Sequence, residues 1–288
     1  MKFRIEKPLL KSLTLMASVI EARDAYTGGH LWRVSQYAQL LAQAAGMPPE
    51  MVFLAGLGGF LHDIGKVGIP DHILGKRGRL TAPEYEVIKT HPGIGAILIQ
   101  EHPLGDLALA AVHQHHEWTN GSGYPDRLQG EQISVYARIV SIADAFDALT
   151  STRPYRREVQ TAPAVSSLSA EQGTQFDAPL LDSFVRMAQI ETLKDFVGHS
   201  QPGVAMVHCR NCGPVITVAA NAKDGDTGFC RVCGTRHRLH RDGDTFAVEP
   251  LGVKGSAGEL QPLPERAVID AFIDQAPEWV EVYPNNGA

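Results

Sequence analysis

The chain lacks the features that would commit it to a membrane, to export or to a nucleic-acid backbone. No stretch approaches the charge-free length a membrane span needs, so no transmembrane segment is expected. The N-terminus, MKFRIEKPLLKSLTLMASVIEARD, sets basic residues ahead of apolar ones. Lys11 splits the apolar run, however, Glu21 and Arg23 follow closely, and no small-residue cleavage site appears, so it does not read as a secretory signal. A net charge of −6 supplies no overall basic field for nucleic acid or anionic lipid. Cysteine is missing from the first 208 residues, and the four present fall between 209 and 233 as two C-x-x-C pairs. In a protein expected in the cytoplasm, that pattern points to metal before disulfide.

What is present is ample for a core: 288 residues, of which 44% are hydrophobic, accommodate one large domain and a smaller one. From residue 9 to about 195 apolar residues recur at helical spacing, as in LLKSLTLMASVIEA and LWRVSQYAQLLAQAAG, and strand-like alternation is almost absent. Gly46 is placed to stop the second of these helices. Thr81 with Glu84 three residues on is a capping-box signature for a helix that ends before Pro92. LGDLALAAVHQHHE and VYARIVSIADAFDALTS are further expected helices. Beyond GHSQPGVAMVH, short β-prone runs lie between glycine and Asp-Gly turns, and RLHRDGDTFAV reads as a hairpin turning at Asp242-Gly243. The expected division is a helical domain over 1–198, a small β-rich domain over 199–250, and a linker, short helix and loose tail over 251–288.

Eight of the twelve histidines fall between residues 30 and 116. A single histidine on an apolar helix face is usually a satisfied core residue. Adjacent His62-Asp63 and adjacent His115-His116 in apolar helical surroundings would instead leave many polar groups to be satisfied, and a metal satisfies them together. Imidazole and carboxylate without thiolate suit iron, manganese, zinc or nickel. A carboxylate has two oxygens, so Asp63 is assigned as a bridge. One ion takes His30, His62 and Asp144, and the other takes His91, His115 and His116. Two divalent cations balanced by Asp63, Asp144 and a hydroxide between them leave about one positive charge, suited to a phosphodiester.

The segments YTGGHLWRV, HDIGKVGIPDHIL, HPGIGAILI, HHEWTNGSGYP, ARIVSIADAFDALTSTRPYR and GTQFD follow one another in the order and spacing of HD-GYP domains, which the chain resembles over roughly residues 13–195. The resemblance implies an all-α, HD-type helical bundle with a metal centre. It also implies hydrolysis of cyclic di-GMP to linear pGpG, and onward to GMP, with a hydroxide nucleophile. Carried over residue by residue, the metal ligands match His30, His62, Asp63, His91, His115, His116 and Asp144. Lys66 matches a phosphate-contacting lysine; a cation complementing a helix C-terminus is the plainer role for it. Tyr124 of Gly123-Tyr124-Pro125 resembles a residue facing the ligand, and Arg153 and Arg156 match positions that grip phosphate or guanine. Asp63 and Lys66 are thus the expected catalytic pair. Asp147 either orders a ligand or Lys66, or is a solvated aspartate, and Glu117 is either a buried acceptor or a surface residue.

Two departures stand out. Three-metal members carry a glutamate where this chain has Tyr26, so two ions, iron or manganese first, are expected. The family's HHERWDG stands here as HHEWTNG, so Trp118, Thr119 and Asn120 alter the rim of the site. Downstream, Cys209, Cys212, Cys230 and Cys233 resemble a zinc ribbon closing a tetrahedral structural zinc. Arg236, Arg238 and His240 would share one face of a strand, which leaves an acidic or signalling protein partner, and more weakly nucleic acid, as options; a homodimer also stays open. Two further activity readings remain: an HD hydrolase of another cyclic nucleotide, and a cyclic-dinucleotide-binding signalling module without catalysis.

Overall fold

The computed structural model describes the chain except residues 1, 24–27, 77, 152–159, 190–192, 194, 219–220, 244, 257, 261–265 and 282–288. After a short strand β1 (Lys2–Arg4), helices α1 (Lys7–Arg23), α2 (His30–Ala44) and α3 (Pro49–Leu61) lead to a tight 3-10 turn over Ile64–Gly68. Then come α4 (Asp71–Leu74), α5 (Ala82–Ile88), α6 (His91–Gln100), α7 (Leu109–Gln114), α8 (Val135–Thr150), α9 (Thr161–Ser169) and α10 (Ala178–Gln189). The Thr81 capping box forms as expected.

The greasy segment before His62 is the central helix of the bundle. Val52 through Leu61 of α3 are all buried, as a helix apolar on every side must be. One side joins a core with Leu10 and Leu13 of α1 and Leu107. Another, through Val52 and Ala55, joins Tyr37 and Leu41 of α2, Ile142 and Phe146 of α8 and Phe184 of α10. Because α3 runs through the middle, its end delivers His62 and Asp63 to the interior. The turn that follows packs tightly on α6: a Cβ at Gly65 would overlap the His91 carbonyl oxygen. Only glycine lets that backbone approach.

The remaining strands are β2 (His199–Gln201), β3 (Val204–Cys209), β4 (Gly213–Thr217), β5 (Thr227–Phe229), β6 (Thr235–Asp242), β7 (Thr245–Lys254) and, after α11 (Arg266–Asp274), β8 (Trp279–Glu281). Strands β2 to β7 form antiparallel sheets ordered β2-β3-β4 and β5-β6-β7. The expected β6–β7 hairpin forms, but Asp242 still pairs with Thr245, so the turn begins one residue later than Asp242-Gly243.

Two expectations change, and the expected last helix forms. Residues 251–254 are not linker: they continue β7, with Lys254 opposite Thr235. The last helix returns to the helical domain, where Phe272 stacks on Phe53 and Phe60 at 5.3 and 5.5 Å between ring centroids. The helical part is also not free of strand, because β1 pairs with β8 and joins the first described residues to the last. The YPNNGA tail lies outside the described residues. Among those described, no helix is long and apolar enough to cross a membrane.

Candidate metal centre and substrate cleft

Five helices converge on one buried point. α2 begins with His30, α3 ends into His62 and Asp63, α6 begins with His91, α7 runs out into His115 and His116, and α8 carries Asp144 and Asp147. His30, His62, His91 and His115 are at most 3% exposed.

Each ring is held from behind. His62 Nδ1 lies 2.8 Å from the Gly59 carbonyl oxygen, His91 Nδ1 2.7 Å from that of Ile88 and His115 Nδ1 2.9 Å from that of Val112. A carbonyl can only accept, so each Nδ1 must carry its proton and donate. In a neutral ring Nε2 is then bare, and the bare edges face one another: His91 Nε2 is 3.2 Å from His115 Nε2. Burial, foremost, pulls both of these imidazoles below their ordinary values, so neither supplies a proton to the gap. Two lone pairs at that distance call for a cation between or beside them.

Asp63 addresses both groups of histidines. Its Oδ2 lies 3.3 Å from His30 Nε2 and 3.4 Å from His62 Nε2, while Oδ1 lies 3.4 Å from His91 Nε2. Asp144 Oδ1 is 3.6 Å from His30 Nε2. The donors fall into a His30–His62–Asp144 set, a His91–His115–His116 set, and a His62–Asp63–His115 set between them, each with ligand atoms within 4.8 Å of one another. Burial opposes charge on Asp63, but Lys66, whose Nζ is 2.6 Å from Oδ2, and His62 hold the carboxyl well below the usual range. His116 is driven down to about 3 by burial and by neighbouring His91.

His30 is the exception. Its Nδ1 lies 2.8 Å from Asp147 Oδ2. Burial works against the imidazolium, yet the hydrogen bonds to Asp147 and Asp63 prevail and lift it to about 9. In the absence of metal a proton thus occupies the position a cation would take.

Asp147 is 1% exposed, which discards the solvated reading, and it orders His30 rather than Lys66. Arg33 grips it through Nε and Nη2. Sequence reasoning passed over Arg33, although an arginine three residues after His30, in the apolar run HLWRV, was a signal for a buried carboxylate partner. Glu117 is also buried: its Oε1 accepts the Asp126 and Arg127 amides and its Oε2 that of Leu128. It shapes the loop after Tyr124.

One side of the donor cluster opens into a cleft of about 1140 Å³ that Asp63, Lys66, His91, His116, Tyr124 and Asp144 help to line. Tyr124 stacks on His116 at 4.8 Å. Lys76, Lys89, Arg127 and Trp118 stand farther along the wall; the three cations were not anticipated, because nothing local distinguishes them from surface lysines and arginines. Arg153, Arg156 and Tyr26 lie outside the described residues.

In the β-rich module, Cys209 Sγ is 3.8 Å from Cys233 Sγ, and the four sulfurs lie within 4.8 Å of one another. Zinc–sulfur bonds of about 2.3 Å set tetrahedral sulfurs about 3.8 Å apart, so the cluster fits a zinc ion. Burial opposes ionisation of Cys233, but hydrogen bonding with Thr235 and the neighbouring thiols brings it down to about 6. The basic stripe on β6 is largely answered by its own chain: Arg236 pairs with Glu259 at 2.8 Å and His240 with Glu249 at 3.2 Å.

Fold and donor set together define a helical metal-binding domain with an open cleft. Residues 14–180 match the HD domain family, and the chain belongs to it. The chain is 40% identical over 206 residues to a cyclic di-GMP phosphodiesterase response regulator of Xanthomonas campestris, a match covering 69% of this chain and 54% of that one. It is 38% identical over 172 residues to a cyclic di-GMP phosphodiesterase of Pseudomonas aeruginosa, covering 59% and 41%. A 3′3′-cGAMP-specific phosphodiesterase of Vibrio cholerae is 37% identical over 169 residues, covering 58% and 32%. The chain therefore spans about half or less of the length of these relatives.

Proposed function

We propose that this chain is a metal-dependent phosphodiesterase of the HD-GYP branch that opens cyclic di-GMP to linear 5′-pGpG. The observation that carries the reading is the pair of inward-facing donor sets joined by the two oxygens of Asp63 at the floor of a cleft. The names of the relatives support the substrate class. His30, His62 and Asp144 would hold one ion, His91, His115 and His116 the other, with Asp63 shared; iron or manganese suits such nitrogen and oxygen donors. Bound there, the ions supply Lewis-acid polarisation of a phosphoryl oxygen and an acidified water.

The chain's own residues do the rest. The carbonyls behind His62, His91 and His115 fix their tautomers, as outer partners of metal ligands commonly do. Lys66 offers positive charge at the cleft wall for a non-bridging phosphate oxygen. Tyr124, braced on His116, presents a flat face to the ligand, and Arg153 and Arg156 are proposed to grip phosphate or base by their planar forks. The four cysteines are proposed to hold one structural zinc.

A second reading, hydrolysis of 3′3′-cGAMP, is favoured by the Vibrio relative at 37% identity. The full chain, loaded anaerobically with Fe²⁺ or Mn²⁺ and supplied with each cyclic dinucleotide, separates the two by product mass. The expected outcome is pGpG from cyclic di-GMP at the higher rate. Two bound ions with no turnover of either substrate would overturn the enzyme reading.

A further inference from the structure

We propose that Arg33 is a positioning residue through which the C-terminal β module sets the cation affinity of the His30–His62–Asp144 site. The inference rests on the two-ion reading above and extends it to regulation.

A guanidinium has five N–H donors, and at Arg33 every one has an acceptor. Nε and Nη2 reach the two oxygens of Asp147, Nη2 also reaches Ser151 Oγ at 3.1 Å, and Nη1 is shared between the Gly28 carbonyl at 2.9 Å and the His199 carbonyl at 2.7 Å. Arg33 is 2% exposed. Four acceptors belong to the helical domain. The fifth, His199, belongs to β2, the first strand of the β module.

The start of α2 lies close against β2 and the residues leading into it. Gly29, which precedes His30, has φ +74, and a Cβ there would overlap the Ser200 backbone. Trp32 packs on Phe196 at 5.5 Å between centroids. From β2 the path into the module is short, since His199 pairs with Ala205 of β3 and β3 ends at Cys209. The thiol cluster, β3, β2, Arg33, Asp147 and His30 form one unbroken series of contacts.

The series reaches one cation site and not the other. His30 is oriented by Asp147, 117 residues away in the chain. His91 and His115 are oriented by carbonyls only three residues away. Displacing β2 leaves a buried Arg33 donor without its acceptor and loosens the Asp147–His30 pair, whereas His91 and His115 keep their partners. Outer partners of metal ligands are worth about 10–100-fold in metal affinity. Because coupling between sites is reciprocal, filling the His30 site should in turn stabilise the β module.

The test is Mn²⁺ titration of the full chain by calorimetry and by the electron paramagnetic resonance signal, which separates a lone Mn²⁺ from a coupled pair. The native chain should take up two ions. Arg33→Lys keeps the charge but cannot span Asp147 and His199; it should weaken one site by about 10–100-fold, leave the other intact, and convert the coupled signal to a lone-ion signal. Cys212→Ser should weaken the same site, and should add no further loss in the Arg33→Lys background. Should Cys212→Ser fail to fold, displacing zinc from the native chain with a thiol-specific mercurial gives the same comparison. Unchanged Mn²⁺ affinity after the thiol cluster is disrupted, equal weakening of both sites, or full additivity with Arg33→Lys overturns the proposal. A native chain that takes up no Mn²⁺ sinks the two-ion reading itself, a result distinct from these.

Discussion

The helical domain and the C-terminal β module each gather metal-type donors, by opposite routes. In the module, four thiols come from residues 209–233, one pair at each of two turns, and close around one point. In the helical domain, donors from His30 to Asp144 arrive on separate helices, are buried to different depths, and leave one side open to a cleft of about 1140 Å³. The first arrangement would enclose an ion with four donors and leave no face for a substrate. The second keeps a face for one, the feature that in general separates catalytic from structural metal sites. Its cost is dependence on long-range packing, since no single helix contributes more than two of its donors.

That contrast can be broken most sharply at the closed site. Structural zinc contributes about 10–16 kcal/mol in small zinc-binding folds, so Cys230→Ser should remove one zinc per chain by elemental analysis and unfold the β module, read as lost strand signal in circular dichroism. Retention of zinc would show that the thiol cluster is not the closed site described. Next in size is the open site: Asp63→Asn, at the residue that faces both histidine sets, should cut both Mn²⁺ uptake and phosphodiester cleavage by more than the about 100-fold assigned to an orienting partner. Loss of one ion with the other bound normally would break the shared-carboxylate reading.

The pH response sharpens the comparison further. His30 is lifted to about 9 in the metal-free arrangement, so below that pH a proton must leave before a cation binds. Mn²⁺ affinity of this site should therefore rise about tenfold per pH unit from neutrality towards pH 9 and level off above it. For the metal-free fold the sign is opposite: a raised imidazole contributes stability fully below its unfolded value, near 6.5, and loses it as pH passes about 9. Titration calorimetry in buffers of different ionisation heat counts the released proton; zero protons at pH 7.5 would contradict the His30 geometry. Smallest is the loop brace: Glu117→Gln replaces one acceptor facing three backbone amides and should cost about 1–3 kcal/mol in urea unfolding, with Mn²⁺ stoichiometry unchanged.

Much of the site was legible along the chain because the signals are local. C-x-x-C pairs, His62-Asp63, His115-His116 and the i, i+3 spacing of Asp144 and Asp147 are each visible within a few residues. The two histidine sets expected from donor chemistry are also the sets the fold brings together. Other features gave no such signal. Arg33 and Asp147 meet across 114 positions, Glu117 could be read equally as surface or interior, and the continuation of β7 to Lys254 depends on Thr235 lying opposite. Lys76, Lys89 and Arg127 become cleft residues only through the way the loops around α4, α5 and Tyr124 fold toward one another.

The amino-acid order alone determined a helical domain rich in inward donors, a cysteine-paired β module, and a central apolar helix ending in His62-Asp63, because periodicity and donor identity are properties of short stretches. Tertiary structure decided which carboxylate orients which imidazole, that the last helix returns to α1 and α3, and that β2 lies against the start of α2. Those outcomes depend on burying charge only where a distant partner can satisfy it, and no local pattern records where that partner will be.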